Sequence, residues 1–174
     1  DGNAALNISG PYKTSYTQNI LSVESSINIK GGTSNTSIGG AGVYGENFTL
    51  NNNGSVWGGD GYNGGIAVSG NKISINNYRN VYGGNGLGGS GSSGGAGLSG
   101  DDIIVDNYRS IYGGDDVGGT GGSGVTGSNI TVHNSGGILG GNGVNGGDGI
   151  NGSNLFITND NMISGGYGIK QGGD

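Results

Sequence analysis

The chain has no cysteine, a single proline (Pro11) and charged side chains at only 10% of its positions. Without cysteine neither a disulfide framework nor a thiolate metal site is open to it, and the absence suits a protein exported unfolded. Hydrophobic residues reach only 30%, too few for a conventional thick core. No apolar run approaches the roughly 18 residues of a membrane-spanning helix, and no basic start followed by an apolar stretch marks a leader. Twelve acidic against six basic residues give a net charge of −6, and the cations are scattered. Nucleic acid is not an expected partner, because phosphate binding needs a concentrated basic face. The sequence opens at Asp1 and stops at Gly172-Gly173-Asp174 in mid-pattern. We therefore expect a segment of something longer, with targeting and anchoring parts outside it.

What is abundant is glycine, 47 residues of 174. Glycine with unperiodic proline would indicate a flexible low-complexity segment, but here glycine is periodic and proline nearly absent. From Gly39 onward five segments align without gaps: GGAGVYGENFTLNNNGSVWGG, GGIAVSGNKISINNYRNVYGG, GGAGLSGDDIIVDNYRSIYGG, GGSGVTGSNITVHNSGGILGG and GGDGINGSNLFITNDNMISGG. Anchored on Gly45, Gly70, Gly100, Gly127 and Gly152, their spacings are 25, 30, 27 and 25. All the variation lies in connectors such as Asn85 to Ser93. A constant body with elastic connectors predicts stacked coils carrying loops on one side.

Within the body the apolar residues fall into columns. Val43, Val68, Leu98, Val125 and Ile150 form one, and Phe48, Ile73, Ile103, Ile130 and Leu155 another. Two positions later come Leu50, Ile75, Val105, Val132 and Ile157, and a last short strand supplies Val56, Val81, Ile111, Ile138 and Ile163. Alternation such as Ile73-Ser74-Ile75 has period two, which sends β-branched residues to one face and polar ones to the other. No window shows helical recurrence, and this glycine density would cost a helix about 1 kcal/mol per glycine. One coil cannot bury its single apolar edge, whereas parallel stacking at about 4.8 Å places each Ile on the Ile above.

The predicted fold is all-β, a right-handed single-stranded parallel β-helix, right-handed on the crossover rule. Residues 1–174 form a single domain. About five regular coils of 25–30 residues occupy 39–174, and 1–38 hold one or two irregular coils or a cap. In that segment Leu6 with Ile8, Ile20 with Val23 and Ile27 with Ile29 read as alternating pairs. Asn52, Asn77, Asn107, Asn134 and Asn159 also share a column, predicted to turn a corner in left-handed geometry as a hydrogen-bonded structural ladder. The glycine pairs at 58–59, 83–84, 113–114, 140–141 and 165–166 read as corners needing positive φ.

Motifs for chemistry are sparse. Gly86-Leu87-Gly88-Gly89 lacks the Lys-Ser/Thr ending of a phosphate loop. GGNGVNGGDGI and GGDGYNGGI place Asn145 and Asn63 where a calcium nonapeptide carries Asp, which leaves only a weak calcium site at Asp115 and Asp116 open. Asp101, Asp102, Asp106, Asp115 and Asp116 cluster in one coil and its connector, as paired carboxylates for sugar chemistry would. Asp101 and Asp102, however, fall on the corner held by Glu46, Asn71, Ser128 and Ser153 in other coils, which makes them polar turn residues. His133, the lone histidine, occupies an outward strand position with no second ligand. No catalytic, cofactor-binding or metal-binding residue is predicted.

An outward aromatic stripe is the exception. Trp57, Tyr82, Tyr112 and Leu139 share a column, and Tyr78-Arg79 and Tyr108-Arg109 repeat nearby. Aromatics flanked by Arg suit contact hot spots and sugar-binding faces, and a ring ladder that stabilises the solenoid is the competing reading.

The phrase GG-x-G-apolar-x-G-x-N-apolar-T-apolar-x-N-x-G-x-apolar-x-GG, nearly complete in GGSGVTGSNITVHNSGGILGG, resembles adhesin-like passenger domains of bacterial autotransporters. The resemblance covers Gly39 to Gly166 and rests on repeat grammar. It implies a right-handed β-helix exported to the bacterial cell surface through an outer-membrane C-terminal barrel, which this sequence does not contain. It further implies virulence-associated adhesion, self-aggregation and biofilm formation, with partners that are the protein itself, a host or surface protein, or a glycan. Protease-bearing passengers carry a catalytic Ser motif that is absent here. Two other readings stay open: a non-binding structural stalk or fibre, and a polysaccharide-active β-helix enzyme.

Overall fold

The computed structural model describes residues 2–8 and 19–174, whose regular elements are all strands. Asp1 and residues 9–18, part of the segment expected to be irregular, lie outside the described residues. One set of three-residue strands marks the coils. Asn28–Lys30, Ser55–Trp57, Asn80–Tyr82, Ser110–Tyr112, Gly137–Leu139 and Met162–Ser164 form a six-stranded parallel sheet with one strand from each coil. A nine-stranded sheet carries the longer face of the coils, with Ile73 opposite Ile103, Ile103 opposite Ile130, and Ile130 opposite Leu155. The chain is a parallel β-helix in which residues 25 to 30 places apart sit over one another.

The inward columns make one continuous thin core. Phe48, Leu50, Leu98, Ile103, Val105, Ile130 and Val132 are fully buried, and they pack with Val56, Val81, Ile111 and Ile138 from the short sheet. Each such side chain contributes about 1.5–3 kcal/mol when covered, yet only the coils above and below can cover it. At the last coil Leu155 and Ile157 keep the register but are 38% and 40% exposed at the end of the stack.

The N-terminal segment takes one of its expected forms, with one residue pair corrected. Leu6 registers with Val43, Leu21 with Leu50 and Ile29 with Val56, so the described part of 1–38 is a single coil continuous with the rest. The pairing of Ile20 with Val23 is incorrect: Ile20 lies against Thr49 and is 70% exposed, while Leu21 turns inward. Counting back by two from Val23 reaches Leu21, and that alternation decides the register.

Two conformational expectations are also corrected. The ladder asparagines do not carry the left-handed angle. It falls at Asn47, Lys72, Asp102, Asn129 and Asn154, with φ between 52° and 55°, at the corner that precedes the second core pair. Nor do the glycine pairs have positive φ; they permit close approach of backbones. Their amides form a single chain of hydrogen bonds along the helix, from Gly40 to Gly32, Gly59 to Gly40, Gly65 to Gly59, Gly84 to Gly65, Gly95 to Gly84 and onward to Gly173, at 2.7–3.0 Å. Every second bond joins two ends of one connector, and the bonds between join adjacent coils. A methyl on Gly114 would strike the carbonyl of Gly84. The connectors are therefore pinched off at a fixed neck, which explains why their length varies while the body does not.

Candidate functional site: a groove between aromatic and Asx rows

Outward residues of the short sheet stand beside that neck. Trp57 registers with Tyr82, and Tyr82 with Tyr112. Their rings stack face to face, with centroids 3.9 Å apart for Trp57 and Tyr82 and 5.1 Å for Tyr82 and Tyr112. Lys30 precedes them and Leu139 follows in the same column. Burial holds the Tyr82 phenol above the ordinary tyrosine value, helped by the neighbouring Tyr112 and opposed by a hydrogen bond with Asn80 and by the Arg109 charge.

Across the neck runs a second row, Asp60, Asn85, Asp115 and Asn142. Each side-chain Oδ1 accepts from the backbone N–H of the matching residue one coil on: Asn85 to Asp60 at 2.8 Å, Asp115 to Asn85 at 3.0 Å, Asn142 to Asp115 at 2.6 Å and Tyr167 to Asn142 at 2.9 Å. Between the two rows lies a groove of about 430 Å³ that runs along the coils, floored by the glycine neck. Lys30 Nζ donates to Asp60 Oδ2 at 3.0 Å where the groove begins.

The structure thus brings Trp57, Tyr82 and Tyr112 of the predicted stripe into one site, with Arg109 close enough to act on Tyr82. Tyr78 and Tyr108 form a separate stack, 5.0 Å apart and nearly parallel, and with the exposed Arg79 they do not line the groove. The asparagine ladder is internal: Asn52, Asn77, Asn107 and Asn134 are buried, and each Nδ2 donates to the next Oδ1 at 2.7–2.8 Å, ending on the exposed Asn159. Asp101 and Asp102 are spent on the corner, accepting from Ser128 and Asn129. His133 Nδ1 lies 2.8 Å from Asp106 on the outer strand face. Among the described residues no three His, Cys, Asp or Glu gather as metal ligands.

The Asx row escaped the sequence reading, although a signal was present: in four coils the residue directly after the closing glycine pair is Asp or Asn. No family model, curated protein or solved structure matches the chain. Fold and site define a parallel β-solenoid with a lateral groove.

Proposed function

We propose that this chain is the trunk of a bacterial cell-surface adhesin that binds through lateral faces of its β-helix. The observation that supports this most is the groove, where aromatic and Asx rows face each other coil after coil, so that weak contacts add along the axis. The autotransporter resemblance of the repeat grammar supplies the route: export across the outer membrane and display on the surface, serving adhesion, self-association or biofilm formation. A stalk that only separates other domains has no use for such rows of matched outward groups. An enzyme of the carboxylate-pair kind is disfavoured because Asp101 and Asp102 are committed to the corner.

The test is display of the chain on a non-adherent Gram-negative host. Cell aggregation, or retention on surfaces coated with glycan or host protein, is the expected result. Displaying cells that neither aggregate nor adhere would overturn the reading in favour of a passive stalk.

A further inference from the structure

Resting on that adhesin reading, we infer that the groove holds a linear polysaccharide without acidic groups, laid along the helix axis with one sugar unit per coil. The Asx row carries the argument. Asn85, Asp115 and Asn142 each use Oδ1 to hold the next coil's backbone N–H, which fixes the side chain, and each keeps its other terminal atom without a partner among the described residues. The free atoms alternate as Nδ2, Oδ2 and Nδ2, at the coil spacing of about 4.8 Å. A row of immobilised donors and acceptors at that spacing meets a hydroxyl-rich polymer at low entropic cost.

Opposite, the Trp57, Tyr82 and Tyr112 faces are largely consumed by stacking, so ring edges and phenol oxygens flank the ligand. Other occupants fit less well. An extended peptide repeats every 3.3 Å or so, out of step with the coils, and a strand added at an edge needs free backbone groups. The neck backbone is already bonded to itself. Polyanions meet Asp60 and Asp115, with Lys30 as the lining cation already paired to Asp60.

Trp57 is the only tryptophan and lines the groove, so its emission reports occupancy. The purified chain is titrated with cellohexaose, with a chitosan hexamer and with hyaluronan oligomers. Saturable change is expected with one or both of the first two and none with hyaluronan. Asp115→Asn keeps the Oδ1 that holds Asn142 but turns the free acceptor into a donor, and Tyr112→Leu removes the phenol; each should weaken binding about tenfold, while Tyr78→Ser outside the groove should not. Melting curves confirm that the variants fold. Silence with both neutral and amino-bearing probes, equal binding of hyaluronan, or binding indifferent to both groove variants would overturn the inference. If displaying cells still aggregate while purified chain ignores all three probes, the glycan inference falls and the adhesin reading stands on self-association; failure of both assays removes both.

Discussion

Val23 lies directly over Asn52 in parallel register, at the position where every later coil carries a ladder asparagine, and Asn52 Oδ1 is buried without a hydrogen-bond partner among the described residues. The ladder runs one way, each Nδ2 donating onward, so the first asparagine must lack a donor for its oxygen. Valine continues the core into the first coil and leaves that oxygen uncapped.

Asn107→Val breaks two ladder bonds at mid-stack, taking the acceptor from Asn77 and the donor from Asn134. It should cost about 2–4 kcal/mol, since buried polar groups lose partners. Asn52→Val breaks one such bond and removes an oxygen that is already orphaned, so the unpaired acceptor merely moves on to Asn77. It should cost less than about 1 kcal/mol. Urea unfolding of both variants checks the ranking, and equal losses would contradict it.

The glycine neck makes a sharper contrast. Gly114→Ala places a methyl against the Gly84 carbonyl in a backbone already bonded on both sides, and it should abolish the stacked fold or lower stability by more than about 3 kcal/mol. Gly137→Ala meets first the tip of the flexible Leu139 side chain, 3.0 Å away, and should fall within about 1 kcal/mol of the parent. Circular dichroism melts of the pair measure the difference.

The coil and its core were legible in the sequence because period-two alternation and a constant repeat body leave one register that buries Ile73, Ile103 and Ile130 together. The neck was not. Glycine pairs satisfy equally a turn with positive φ and a close backbone crossing, and only the crossing partner, a second pair one connector away, separates the two. Sequence columns place the outward aromatics correctly, but whether rings stack or lie open depends on rotamers that no column specifies. Propensity favours Ile20 over Leu21 as the inward residue, but strand propensity yields to the burial of one face.

Asp116 is 1% exposed in the connector 115–121, its Oδ1 accepting from Gly118 N–H at 2.9 Å and its Oδ2 meeting no donor among the described residues. An amide there keeps the Gly118 bond and is less costly to bury than a carboxylate whose second oxygen meets no donor. Asp116→Asn should raise the melting temperature by a few degrees, equivalent to about 1 kcal/mol. A lower melting temperature would show that the carboxylate is compensated in the folded protein.

Tyr82 links the groove to pH. Its phenol titrates above the ordinary tyrosine value when folded, because burial disfavours the phenolate and an ionised Tyr112 opposes it further. The folded chain therefore holds this proton more tightly than the unfolded chain. The contribution to stability is complete below pH 10 and is lost as pH rises through the folded value. Ultraviolet titration of phenolate absorbance should show a component that appears later than free tyrosine and vanishes in Tyr82→Phe. The same variant should lose less stability between neutral and strongly alkaline pH than the parent does. Identical alkaline profiles for the two chains would mean that the Trp57–Tyr82–Tyr112 column is open to solvent rather than closed by its own stacking.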